Sequence, residues 1–327
     1  MAKANAKKTD ADGDKVRGEK LQKVLARSGL GSRREMERWI EEGRVTVSGI
    51  EAKLGDRVGA DASIEVDGRA LEADKGEETR CLLYHKPTGE VCSRKDPEGR
   101  RTVFERLPKV RSGRWISIGR LDFNTSGLLL FTTDGELANA LMHPRANIER
   151  EYMVRVMGDV TEEHIKAMLD GVMLDDGMAR FTDIQSGGGD GINTWYYVVI
   201  MEGRNREVRR LWEFQGHTVS RLKRVRYGEL FIPSKVKKGQ WMELSPREIG
   251  TLYRMAQLPE KAVQSLTPDE RRHEERQTAK RGRARVAGRE DSKLGVRGPK
   301  ERGSDKSARI GRRDGAQASK GRGSRRR

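Results

Sequence analysis

The sequence is poor in the residues that build disulfide frameworks and metal cages. Cys81 and Cys92 are its only cysteines and form no metal-type pair, so both read as reduced thiols. The five histidines (His85, His143, His164, His217 and His273) are scattered without zinc-like spacing. Neither a phosphate-binding glycine loop nor a dinucleotide fingerprint is present. No stretch approaches the ~18 apolar residues of a membrane span, and the N-terminus lacks the apolar core of a secretion signal. These absences point to a cytoplasmic chain and, if it is an enzyme, to chemistry with no cofactor and no metal.

Positive charge is what the chain has in excess. Its formal net charge is +17, which makes a polyanion the first partner to consider. Residues 261–327 hold 22 Lys/Arg against 9 Asp/Glu, so +13 of that +17 sits in the tail. The tail has no Phe, Trp or Tyr and cannot bury a core, so residues 257–327 read as a disordered basic tail. Residues 1–17, polar with several Lys, read as a disordered N-terminal segment. The body between is only mildly basic.

At the start of the body, Leu21, Val24, Leu25 and Leu30 recur at helical spacing until Gly29 and Gly31 break the run. Ser32-Arg33-Arg34-Glu35 is a capping box, and the helix it opens carries Met36, Trp39 and Ile40 as far as Gly43. A short strand and turn follows at 44–49, and another at 63–68. Lys20 to Ala26, Gly31 to Arg34 and Gly43 to Gly49 together resemble the S4-type RNA-binding domain. That resemblance implies a basic surface, including Arg33 and Arg34, that grips structured RNA through its phosphates.

A polar linker (71–79) leads to a short apolar strand, Cys81 to Tyr84, and then to a turn at His85-Lys86-Pro87-Thr88-Gly89. Lys86 there is a loop lysine able to contact a phosphate. Next comes Gly119-Arg120-Leu121-Asp122-Phe123-Asn124-Thr125-Ser126-Gly127, followed by Leu128-Leu129-Leu130-Phe131. An apolar run of that kind can only be buried. It mounts the one carboxylate before it on rigid structure. Asp134 lies at the head of a short helix.

Further on, residues 151–156 alternate with period two and put Tyr152, Val154 and Val156 on one strand face. Residues 162–169 read as a helix, 175–177 as a turn, 186–191 as a flexible loop and 195–201 as a strand. Asn205 reads as the cap of a helix ending at Gly216, with Val208, Leu211 and Trp212 inward and Arg206, Arg209 and Arg210 off that stripe. Four arginines in seven residues suit the grip of carboxylates or phosphates. A basic strand at 219–228 and a closing helix at 243–255 complete the body.

These pieces resemble the pseudouridine synthases, in the branch with an N-terminal S4 domain. Gly119-Arg120-Leu121-Asp122 with Thr125 to Leu130 is similar to that family's catalytic motif, and His85 to Gly89 to its first motif. Arg150-Glu151-Tyr152 is similar to its Lys-x-Tyr motif, with Arg for Lys. Gly203 to Arg209 is similar to its third, with Arg206-Glu207 where His-Gln is common. Within the branch, Phe131 to Ala138 and Met142 to Tyr152 most resemble the enzymes that modify one uridine of 23S ribosomal RNA.

The resemblance implies Asp122 as nucleophile, Arg209 as its basic partner and Tyr152 as the aromatic packed on the extracted base. It also implies Leu222 as a pocket wall and Arg120, Lys86, Arg206 and Arg210 as RNA contacts. The implied fold is α+β: an S4 domain at 18–75, then a catalytic domain at 79–256 with a mixed, mostly antiparallel sheet flanked by helices. The implied substrate is 23S rRNA, naked or within a precursor particle; with no heptad or large apolar stripe free, the protein is expected to be a monomer. The alternatives are a synthase for another rRNA or tRNA site, or a non-enzymatic ribosome-assembly factor.

Overall fold

The computed structural model describes residues 18–59, 61–71, 79–110, 113–190 and 192–261, together with 269, 270, 272, 273 and 276. The expected N-terminal segment and nearly all of the expected tail lie outside the described residues.

The first module follows its hydrophobic pattern. Helices Leu21–Arg27 and Arg33–Glu41 pack on a four-stranded sheet, with Val45–Val47 and Ile64–Val66 at its centre. Leu21, Leu25, Met36, Ile40, Val45 and Ile64 form the core. Ser32 Oγ accepts from Glu35 N at 3.1 Å, and Glu35 Oε2 accepts from Ser32 N at 3.3 Å, so the capping box forms as read. Leu30, expected in the helical stripe, is exposed: helix Leu21–Arg27 has ended, and Gly29 at φ 86° turns the chain away.

The chain from residue 79 onward builds one large sheet between two helical layers. Its strand order is Asp183–Asp190, Asn193–Ile200, Arg150–Met157, Thr218–Tyr227, Ser126–Thr132, Cys81–Lys86 and Trp241–Glu243. All these neighbours are antiparallel except Thr218–Tyr227 against Ser126–Thr132. That parallel contact lasts two residues. Towards its C-terminal end, Ser126–Thr132 pairs instead with Ile116–Ile118.

Strand Ser126–Thr132 is buried along its whole length because both faces meet a core. Leu129 and Phe131 join Tyr84, Val154, Leu222 and the helix Glu207–Phe214. Leu128 and Leu130 join Leu137 and Leu141 of helix Gly135–Met142, and Leu252 of helix Pro246–Met255.

Three local expectations change. The glycine-rich stretch expected as a loop lies largely in strand Asp183–Asp190, which pairs with its neighbour across a bulge between Ser186 and Gly189. His85 and Lys86 belong to a strand rather than a turn. Helix Glu207–Phe214 is capped by Arg206, in the left-handed region at φ 49°, and not by Asn205.

Candidate active site

The segment carrying Asp122 leaves Ile118 and enters the buried strand at Ser126. Every backbone carbonyl from Leu121 to Thr125 accepts a hydrogen bond. Leu121 O takes the Cys92 thiol at 3.3 Å. Asp122 O takes Lys86 Nζ at 3.0 Å and Thr125 N at 3.0 Å. Phe123 O takes Gly89 N at 2.9 Å, and Asn124 O takes Arg209 Nη2 at 3.1 Å. Thr125 O takes Lys86 Nζ at 2.9 Å. A turn whose carbonyls are all held has little freedom left, so it presents its side chains from a fixed backbone.

Lys86 is therefore not the solvated phosphate contact expected. It is 0% exposed, and its ammonium spends three donors on the carbonyls of Pro87, Asp122 and Thr125. Burial lowers its pKa, against the opposing charges of Cys92, Glu90 and Asp122.

Arg209 also differs from expectation. It is 7% exposed, not on the outer face of its helix, and its guanidinium donates to Val219 O at 2.8 Å and to Asn124 O. It makes no ion pair with Asp122 at hydrogen-bonding range. Burial lowers its pKa and Arg206 adds to that, whereas the charge of Asp122 works to raise it. Arg209 holds the backbone of the loop and stands within the field of the carboxylate.

Asp122 itself is half-buried, and its carboxylate has no hydrogen bond or ion pair among the described residues. It is free to meet a ligand. Arg120, two residues earlier, is exposed and likewise unpaired.

A register row crosses the sheet beside the loop. Lys86 stands opposite Gly127, Gly127 beside Arg224, and Arg224 opposite Tyr152. Two strand spacings, about 10 Å, separate the backbones of Gly127 and Tyr152. Tyr152 is 7% exposed. Its strand is tied down by Arg150, which donates to the carbonyls of Ile148 at 2.9 Å and Met201 at 2.6 Å. Leu222 is buried next to Val154, and its carbonyl accepts from Ser126 Oγ at 3.3 Å. Gly127 has φ 111°, and a Cβ there would overlap the Arg224 carbonyl, so only glycine lets the two strands approach.

Among the expected RNA contacts, Arg33 and Arg34 are exposed and make no hydrogen bond or ion pair among the described residues. Arg210 is not free for RNA: its fork closes on Asp176 at 2.8 and 2.8 Å, and Arg204 reaches the same turn. Arg206 is exposed but paired to Glu213 at 3.2 Å. Carboxylates within the fold have taken up part of the arginine cluster.

Sequence reading missed the contacts that Cys92, Gly89 and Arg224 make with the loop and the strand after it. Cys92 acts on the loop through its thiol and Gly89 through its backbone amide, and both meet main-chain groups, which leave no pattern in side-chain spacing. Arg224 is 2% exposed and donates from Nε to Leu128 O at 2.8 Å. Among the described residues there is no group of three His, Cys, Asp or Glu that could hold a metal ion.

The model of the RNA pseudouridylate synthase family matches residues 80–214, and that of the S4 domain matches 19–64. The chain is 57% identical over 288 residues to the ribosomal large subunit pseudouridine synthase B of Vibrio cholerae, a match covering 81% of this chain and 90% of the relative. It is 56% identical over 245 residues to the protein of the same name from Escherichia coli, covering 74% and 84%. A crystal structure of a pseudouridylate synthase superposes with a TM-score of 0.51 at 26% identity, covering 71% of this chain and 99% of that one. A pinned aspartate loop, an aromatic strand in register with it and relatives of this similarity lead to one assignment: the chain belongs to the RNA pseudouridine synthase family, in the branch with an N-terminal S4 domain.

Proposed function

We propose that the protein isomerises one uridine of 23S ribosomal RNA to pseudouridine, with Asp122 as the nucleophile. The observation that carries the reading is the unpaired Asp122 carboxylate on a loop whose carbonyls are all held. A rigid anionic nucleophile suits a reaction that needs transient bonding to carbon and an exact approach. The bond between C1′ and N1 of uridine breaks, the base turns, and C1′ joins C5; C5 gives up its proton and N1 takes one up, so the product is an isomer of the substrate. Tyr152 packs on the extracted base, Leu222 forms part of the wall behind it, and Arg209 stabilises the loop and the charge upon it.

The extracted base has to leave its stack, so the enzyme must hold RNA while doing so. Arg33 and Arg34 on the S4 module and Arg120 beside the nucleophile are the unpaired cations that serve this grip. In this reading the enzyme acts as a monomer in the cytoplasm. Among the described residues no helix is long and apolar enough to cross a membrane. The test is to map pseudouridines in ribosomal RNA from a strain lacking the gene. One position in 23S rRNA should lose the modification and regain it with the wild-type gene but not with Asp122→Asn. If every 23S site stayed modified, the target would be wrong.

A further inference from the structure

The second helical layer covers only part of the sheet. Helices Gly135–Met142 and Pro246–Met255 pack on strands Cys81–Lys86 and Ser126–Thr132. Their cluster takes in no described residue of strands Arg150–Met157, Asp183–Asp190 or Asn193–Ile200. On those strands the face that alternates with Tyr152, Val154 and Val156 is left to solvent.

That face carries aromatic rings beside cations. Trp195 and Tyr197 stand on it two residues apart, with Tyr197 40% exposed and Trp195 half-buried. Arg155 pairs with Trp195 and Met153 with Tyr197; on the next strand Arg221 pairs with Arg155 and Lys223 with Met153. The aromatic column thus lies two strand spacings, about 10 Å, from a column of two cations. The Arg155 guanidinium stands 6.0 Å from the Trp195 ring centroid and donates to Ser220 Oγ at 2.9 Å. The Arg221 and Lys223 side chains make no hydrogen bond or ion pair among the described residues. Burial and the nearby Lys238 both lower the Lys223 pKa, as expected of a cation short of counter-charge. The carboxylates of this face lie in one row at its end, Asp183 and Glu151 flanking Val199. Both are engaged: Glu151 takes Arg226 Nε at 2.7 Å, and Asp183 takes Gln185 Nε2 at 2.9 Å. Gly187 on the edge strand lies against Tyr197, where a Cβ would stand 3.0 Å from the ring, so the ring also shields bare backbone. Shielding alone does not call for the cations.

We propose that this open sheet face is a second RNA-binding surface: single-stranded RNA lays two successive bases on Trp195 and Tyr197, and its phosphates lie along Arg221 and Lys223. Residues i and i+2 of a strand stand about 7 Å apart, which leaves each ring room for one base. Four antiparallel strands with aromatics on an inner strand make a stacking platform, and cations beside it hold the backbone. Charge decides the occupant, because two unpaired cations repel the basic segments of this chain and favour a polyanion. Tyr152 and Leu222 face the other side of the same sheet. RNA held here is therefore a different stretch from the one that carries the target uridine.

The probe is a fluorescein-labelled oligocytidylate of roughly ten nucleotides. It holds no uridine, so its binding is independent of the isomerase reading. Anisotropy titrations use the full chain at about 50 to 200 mM salt. Trp195→Ala with Tyr197→Ala should weaken affinity at least about 10-fold and leave the salt slope unchanged. Tyr197→Ala alone, at an exposed position, should lose about 5-fold or more, and Tyr197→Phe, which keeps the ring, should stay within about 2-fold. Arg221→Ala with Lys223→Ala should lower the salt slope by about 1.4, at about 0.7 per phosphate. Each variant should convert the RNA substrate within about 3-fold of wild type. Affinity within about 2-fold of wild type in alanine variants that melt normally would overturn the proposal, leaving the rings to shield the edge strand or meet a protein. A conversion defect as large as the binding defect would overturn the separation of this surface from the catalytic loop.

Discussion

Replacing Lys86 by Met tests whether the catalytic loop is held from below. The chain length is kept and the ammonium is lost, so three hydrogen bonds vanish. Asp122 O keeps its bond from Thr125 N, but the carbonyls of Pro87 and Thr125 lose the lysine. A hydrogen bond from a charged donor contributes about 1.5–3 kcal/mol net. Part of that loss is offset, because a buried ammonium no longer has to be desolvated. The expected net cost is about 2–4 kcal/mol, or a fall in Tm of about 5–15 °C for a body of this size. A nucleophile displaced by even a fraction of an ångström should also lower kcat, by up to about 100-fold. Thermal melting and tritium release measure the two effects, and RNA affinity should stay within about 3-fold. A Tm within about 2 °C of wild type would refute the clamp. Unchanged stability with a salt slope of RNA binding reduced by about one would restore the phosphate contact read from the sequence.

Three further outcomes follow from the same geometry. Gly127→Ala should leave little soluble protein, or lower Tm by more than about 10 °C, because its Cβ would press on the Arg224 backbone at φ 111°; normal melting would contradict the close approach. Burial holds His85 below the usual histidine pKa, and burial with His164 nearby does the same for His217. Their folded values lie below the unfolded one, so stability is present above about pH 6.5 and falls as pH drops through that value; urea midpoints that do not fall between pH 7.5 and 5.5 would show that these rings are not held neutral. Arg33→Ala with Arg34→Ala should weaken binding to the RNA substrate and reduce its salt slope by about two, with Tm within about 2 °C; an unchanged slope would remove the S4 face from the interface.

Much of the fold was readable because burial leaves a pattern. The run from Leu128 to Phe131 could only be a strand covered on both faces, and it joins two cores. The alternation around Tyr152 and the stripe of Val208, Leu211 and Trp212 were legible for the same reason. What failed to read were polar groups turned inward. Lys86, Arg209 and Arg210 look like solvated or RNA-facing cations in sequence, yet backbone carbonyls and Asp176 hold them within the fold. Those acceptors lie dozens of positions away along the chain, or belong to the main chain, and spacing carries no trace of either. The glycines at 187–189 misled for a related reason: a bulge needs the same residues as a loop. Resemblance pointed to Asp122, Tyr152 and Arg209. The geometry adds that the arginine and the lysine hold the loop's backbone.

The central claim is that the Asp122 carboxylate carries the chemistry on a loop that Lys86, Cys92, Gly89 and Arg209 hold by its backbone. Asp122→Asn keeps the shape and removes the charge. Single-turnover tritium release from the RNA substrate, measured beside its affinity for the same RNA, tests this most directly. The account predicts conversion below detection, with affinity within about 3-fold of wild type and unchanged melting. Pseudouridine formed by the purified Asn variant at a rate near that of wild type would contradict it.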